Sequence, residues 1–305
     1  MASSRFDAIG VPWRLDVSGA HGGEHDGEHG VEADGELSDD DLAAVHARIE
    51  RFDRDWSRFR TDSLVSRIAR GAGSWTLPED AVPMLDLYRE LHDLTDGRLS
   101  PLAGASLEQL GYDATYRLEP RGAPRAAPRW GDALSLRETA AGLVLDCPAP
   151  VLLDVGAAGK GYLVDLVGDL LQARGAIETV VDASGDLRCW GERSIRVALE
   201  NPANPAKAVG VVEVRGAALC GSASNRRAWG DGLHHIVDAT TGRPVGGVIA
   251  AWAIAETALL ADGLATALFL TEPARLAERF PFQWVRLFDD GRLEGSPDLS
   301  GELFA

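Results

Sequence analysis

The stretch LLDVGAAGKGYLVD, residues 152–165, constrains the fold more than any other part of the chain. The apolar run at 151–155 reads as a short buried strand. Gly156, Gly159 and Gly161 then permit a tight turn, and helical periodicity runs from 160 to 173, closing near Gly175. Residues 177–182 follow as another strand. A chain that passes from strand to turn to helix to strand in so short a span must bury a helix against a sheet.

Further strands are expected at 9–17, 194–199, 208–214, 248–255 and 283–288. Ser38, followed by Asp39, Asp40 and Asp41, starts a helix with acids at its positive end. Leu42, Val45, Ile49 and Phe52 form its apolar face. Helices are also expected at 78–94, ending at Asp96-Gly97, at 257–270, and briefly after Pro273; the segment 56–68 is mixed. Hairpin-style strands together with helical crossovers indicate an α+β fold with mixed or antiparallel sheets. Neither a repeat nor a linker divides the chain, so residues 1–305 read as one domain. Two flexible loops are expected within it, the Gly/His/acid run at 20–37 and the Pro/Arg/Ala run at 119–130. His21, His25 and His29 recur every fourth residue, but the interleaved glycines disfavour the helix that would make them a chelating face.

With 47 acidic against 30 basic residues the net charge is −17, which repels nucleic acid, and no basic run offsets it. The same field repels phosphates, so an anionic ligand needs a local cation or helix amides. No apolar run reaches transmembrane length. The opening residues lack the basic flank and apolar core of a secretory signal. The three cysteines are odd in number and widely spaced, which suits reduced thiols in a cytoplasmic protein.

Three segments carry candidate chemistry. At 152–165, amides at a helix N-terminus beside Lys160 would suit an anion, although the spacing is neither a Walker A loop nor GxGxxG. In ADGLATALFL, 261–270, Asp262 and Thr266 stand four apart on one helical face, and paired carboxylate and hydroxyl oxygens suit Mg²⁺. In GLHHIVDATTGRPV, 232–245, one histidine of the adjacent pair is a candidate proton acceptor for a hydroxyl nucleophile. Together they suggest phosphoryl or nucleotidyl transfer. Taken singly, each also fits a structural role: a tight turn, a solvated helix face, a capping histidine.

In that order the three segments resemble the ApbE family of FAD:protein FMN transferases. The strings are DVGAAGKGYLVD at 154–165, HIVDATTGRP at 235–244 and ADGLATA at 261–267. Weaker echoes are WSRFRTDSLVSRI at 56–68, DGRLSP at 96–101, VVDASGDL at 180–187 and GSASNRR at 221–227. The resemblance implies a single α+β domain with helices around a flavin-binding cleft. It implies Asp262 and Thr266 as side-chain Mg²⁺ ligands, for one or two ions, with the carbonyls of Ala157 and Ala265. Asp154, Lys160, Ile9, Phe59, Arg98, Leu99, Ser100 and Ile236 take flavin-contact positions. The implied reaction passes FMN from FAD to a Ser or Thr hydroxyl of an acceptor protein and releases AMP, with His235 as base and Asp262 also catalytic. An FAD pyrophosphatase and a non-catalytic FAD-binding protein are the alternatives. The sequence departs from the family pattern at Ser100, where Asp is usual, and at Ser184, which replaces the first Gly of GGD.

Overall fold

The structure, a computed structural model, describes residues 1–19, 37–140 and 142–304. The histidine-rich segment at 20–36 lies outside the described residues.

An eight-stranded sheet forms the centre. Its strands are Ala2–Ala8, Val11–Gly19, Ala176–Asp182, Asp186–Trp190, Ala218–Ala223, Val248–Ala255, Gln283–Phe288 and Leu293–Gly295, and each lies beside the next in chain order. Every pairing among them is antiparallel. The helical crossovers expected from the sequence are therefore excursions between antiparallel neighbours rather than parallel connections.

Alternation along the strands explains the layering. Val180 and Val181 are both buried yet point to opposite faces. Val181 joins a core with helix residues such as Leu163, Val167 and Leu264. Val180 joins a second core with Val209, Val212 and Val214 of the strand Asn204–Arg215, part of a three-stranded sheet with Ser194–Asn201 and Gly301–Leu303. Helices therefore cover one face and a second sheet covers the other, as an α+β arrangement requires.

The helix Gly159–Ala173, called here the turn helix, packs on Ala258–Ala267, the cleft helix. A side chain at Gly161 would collide with the Ala258 carbonyl and with Asp262, so glycine sets this close approach. Asp165 fixes the relation of the two helices. Its carboxylate accepts the Ala258 and Leu259 amides at 2.9 and 2.8 Å and pairs with Arg188 at 2.7 Å. Burial pushes the Asp165 carboxyl up even though Arg188 and the two amides pull it down. The ion pair itself thus adds little, and the donors left without an acceptor would dominate the cost of its loss. Asp165→Ala is expected to lower stability by about 3 kcal/mol. Denaturant titration would read this as a lower midpoint at unchanged slope; an unchanged midpoint would remove Asp165 from this role.

Some expectations miss. Residues 151–155 are largely buried but pair with no strand; the Asp154 amide donates instead to the Pro101 carbonyl at 2.7 Å. The expected strand at 9–17 begins only at Val11, because Ile9 and Gly10 form the tip of a hairpin with Ala2–Ala8. The loop at 119–130 is irregular and mostly exposed, as expected; the Ala127 amide ties it to the Ala239 carbonyl at 2.7 Å, and it leads into a short helix, Trp130–Ala133.

Ser184 lies in the tight connection between Ala176–Asp182 and Asp186–Trp190 with φ +58, followed by Gly185 at φ +99. A left-handed backbone costs a non-glycine residue about 1 kcal/mol. Ser184→Gly is expected to raise unfolding free energy by about 0.5 kcal/mol, since the unfolded chain also gains freedom. Denaturant titration checks this, and a destabilised variant would show that the serine side chain is needed there.

Candidate active site

The helices and the hairpin tip border a cleft of about 1310 Å³ including its opening to solvent. Ile9, Phe59, Leu99, Ser100, Asp154 and Ala157 line it, and so do Lys160, His235, Ile236 and Thr266. Arg98, Asp262 and Ala265 do not reach its wall.

Asp262 lies one turn before Thr266, only 5% exposed. Its Oδ2 accepts the Gly161 amide at 2.9 Å. That bond has a consequence for the turn helix. Gly161 is the residue whose amide would close a helical bond onto the carbonyl of Ala157. Because it donates to Asp262, the Ala157 carbonyl has no donor among the described residues. The same happens at the end of the cleft helix. Phe269 donates to Thr266 at 3.2 Å and Leu268 to Leu264 at 2.9 Å, so the buried Ala265 carbonyl has no donor there either. A buried carbonyl without a donor costs free energy unless something else binds it. Ala265 is buried and Ala157 half-buried; with the Asp262 carboxylate and the Thr266 hydroxyl, which lies 3.2 Å from Ser222 Oγ, their carbonyls are hard oxygens carried by the glycine turn and the cleft helix. No three His, Cys, Asp or Glu side chains converge on a metal position among the described residues, so any cation at Asp262 would rely on hydroxyl and carbonyl oxygens besides that carboxylate.

Charge points the same way. Lys160 Nζ lies 2.8 Å from Asp186 Oδ2 and donates to the Ala183 carbonyl at 3.0 Å. Burial works against the ammonium, but Asp186 and Asp262 hold its pKa above the ordinary lysine value. One lysine thus serves two buried carboxylates. Burial and the neighbouring Asp186 push the Asp262 carboxyl well above the usual range. The cluster is short of positive charge.

The anion site expected at the turn is largely filled by the protein itself. The Gly156 amide donates to Asp154 at 2.7 Å, Ala157 to the Tyr88 hydroxyl at 3.1 Å, Gly159 to the Val155 carbonyl at 2.7 Å, and Gly161 to Asp262. Asp154 also pairs with buried Arg58, whose Nη1 donates to the Tyr112 carbonyl at 2.8 Å. Burial opposes ionisation of Asp154, but Arg58 and the Gly156 amide hold its carboxyl below the usual value.

The two histidines separate cleanly. His234 Nε2 lies 2.9 Å from the Val245 carbonyl, and its Nδ1 accepts the Ile236 amide at 3.3 Å. Accepting at Nδ1 requires the Nε2–H tautomer, so both nitrogens serve the loop. His235 lines the cleft, with a buried Nδ1 that has no partner among the described residues. Burial, Arg227 and His234 push its pKa down to about 4, opposed by a bond to the Arg227 carbonyl. The ring is neutral at pH 7 with a free lone pair.

The remaining expected contacts are placed as follows. Phe59 stacks on Tyr116 with ring centroids 5.4 Å apart, and the Arg58 guanidinium lies 4.3 Å from its centroid. Ile9 sits at the hairpin tip at φ +47, a strained conformation for a β-branched residue. Ser100 Oγ accepts the Leu102 amide at 3.2 Å and starts the turn Pro101–Ala103. Arg98 instead donates to Asp238 at 2.8 Å and to the Leu270 carbonyl, tying the DGRLSP string to the HIVDATTG loop and the end of the cleft helix. The cleft also takes in Arg58, Tyr112, Ser222 and Arg227, with Asp186 and Tyr88 behind it. Arg58, Asp186, Ser222 and Arg227 lie in the weaker sequence echoes, whereas nothing in the sequence marked Tyr88 or Tyr112.

The sequence model of the ApbE family matches residues 10–281. The chain belongs to the ApbE family. The FAD:protein FMN transferase of Rhodobacter capsulatus is 30% identical over 282 residues, covering 87% of this chain and 54% of that protein. This chain therefore spans about half the length of that relative. The FAD:protein FMN transferase of Vibrio cholerae is 26% identical over 268 residues, covering 80% of this chain and 78% of its own length. The crystal structure of the ApbE protein from Thermotoga maritima superposes with a TM-score of 0.77 at 21% identity, over 97% of this chain and 96% of that one. The α+β architecture described above is thus an ApbE fold. No helix among the described residues is long and apolar enough to cross a membrane.

Proposed function

We propose that the protein is a Mg²⁺-dependent FAD:protein FMN transferase, moving FMN from FAD to a Ser or Thr hydroxyl of an acceptor protein and releasing AMP. The supporting observation is the pair of carbonyls, Ala157 and Ala265, left without donors beside Asp262 and Thr266. Four oxygen donors of this kind fit Mg²⁺, which keeps water or phosphate in its remaining positions. When bound there, the ion supplies charge neutralisation at the pyrophosphate. The names of the relatives support FAD as the donor and a protein as the acceptor.

The chain's own groups then have defined tasks. His235, neutral at pH 7, takes the acceptor hydroxyl proton at its unpartnered nitrogen. The hydroxyl oxygen forms a bond to the phosphorus of the FMN half as the bond from that phosphorus to the bridging oxygen breaks. AMP departs with the bonding pair, and FMN stays attached as a phosphoester. Phe59 and Ile9 offer apolar surface for the flavin ring. The three cysteines, buried and unpaired, support a reducing cytoplasmic setting.

Incubation with FAD and Mg²⁺, with and without a small acceptor domain carrying a Ser/Thr flavinylation motif, tests this reading. AMP and covalent flavin on the acceptor should rise together. AMP formed equally without acceptor would make the protein a pyrophosphatase, and intact bound FAD without AMP would make it a storage protein. Either result overturns the transferase reading.

A further inference from the structure

The cations lining the cleft are not equivalent. Arg58 is committed to Asp154 and the Tyr112 carbonyl, and Lys160 to Asp186 and the Ala183 carbonyl. The amides of the glycine turn already serve Asp154, Tyr88, Val155 and Asp262. Arg227 differs from both. It is exposed, lines the cleft on the turn Ser224–Arg227, and forms no ion pair among the described residues. Its guanidinium lies 5.8 Å from the Tyr112 ring centroid, and its carbonyl holds the His235 ring. Its charge acts on the buried carboxylates of Asp154 and Asp262 without an ion pair to either among the described residues, so the guanidinium faces the cleft free to meet an anion there.

We propose that Arg227 is the phosphate-recognition residue of the cleft, pairing with an oxygen of the dinucleotide's pyrophosphate and so holding the phosphorus near His235. This deepens the transferase reading and rests on it for the identity of the dinucleotide. Arginine suits the task because its planar fork meets phosphate oxygens in a bidentate way that lysine lacks. The neighbourhood also gives one short segment two duties. Its backbone orients the base, and its side chain orients the group on which the base acts.

The test is equilibrium binding without metal, so that no turnover intervenes. The probes are FAD, ADP and riboflavin: flavin and adenosine joined by pyrophosphate, adenosine with a diphosphate but no flavin, and flavin with no phosphate. Arg227→Gln is expected to weaken FAD and ADP by about 10- to 100-fold, the range for a hydrogen bond between charged groups. Riboflavin should change by less than about 2-fold, and the thermal midpoint should stay put because the residue is exposed. Arg227→Lys should recover part of the loss. Equal weakening of riboflavin would mean that Arg227 acts by shaping the cleft, and unchanged FAD and ADP would mean that it touches no phosphate; either overturns the proposal. Binding involves no acceptor and no transfer, so failure of the transferase reading shows separately in the AMP assay.

Discussion

Asp262→Ala is expected to reduce Mg²⁺-dependent AMP release by at least about 10³-fold, the several kcal/mol that a bound cation supplies to a developing charge. The size of the effect comes from two losses at once. The carboxylate disappears as a ligand, and the Gly161 amide loses its acceptor. That amide is then free to close the ordinary helical bond onto the Ala157 carbonyl, which withdraws a second oxygen from the site. Asp262→Asn separates the two effects. Its amide oxygen still accepts from Gly161 and keeps the Ala157 carbonyl open, so it should retain more metal affinity than alanine while losing the charge. AMP release by chromatography and metal affinity by calorimetry read both variants. Near wild-type turnover in Asp262→Ala would remove this residue from the metal site.

His235→Ala should slow transfer to the acceptor by about 10²- to 10⁴-fold, the usual worth of a positioned general base. FAD binding should change little. His234→Ala should act differently, since both of its nitrogens hold the loop: a loss of about 1 kcal/mol in stability, with turnover falling only as far as folding does. A selective loss of transfer in His234→Ala would reverse the assignment.

The same histidine predicts a pH signature. Its folded pKa of about 4 lies below the unfolded value near 6.5, so between these values the unfolded chain binds the proton that the folded protein rejects. Stability from this group is complete above about pH 6.5 and is lost as pH falls towards 4, by about 3 kcal/mol in total. Unfolding free energies at pH 7 and pH 5 should therefore converge in His235→Ala relative to wild type. If the variant keeps the full acid sensitivity, other groups account for it.

How much of this could be read in the sequence varies with the kind of interaction. The helix from Ser38, the strand at 248–255 and the strand at 283–288 follow from local capping and periodicity, and they form as expected. The strand Ala218–Ala223 is not legible locally, because both its partners, Asp186–Trp190 and Val248–Ala255, come from distant segments, whereas Ala2–Ala8 is an edge strand whose short polar sequence carries little apolar pattern. Residues 151–155 show the converse: apolar enough for a strand, they are buried by packing without a ladder. At the site, Asp262 with Thr266 and the glycine turn were legible because their spacing is local. The release of the Ala157 carbonyl was not, since it depends on one amide turning to a carboxylate 101 residues away. The pairing of Arg98 is equally hidden, its partner Asp238 lying 140 residues on.

The most direct measurement is an anomalous difference map from crystals of the protein grown with FAD and Mn²⁺ in place of Mg²⁺. A peak about 2.2 Å from the Asp262 carboxylate and the Thr266 hydroxyl, with the Ala157 and Ala265 carbonyls turned towards it, is the predicted result. A peak elsewhere, or well-ordered FAD with no peak between the cleft helix and the glycine turn, would contradict it.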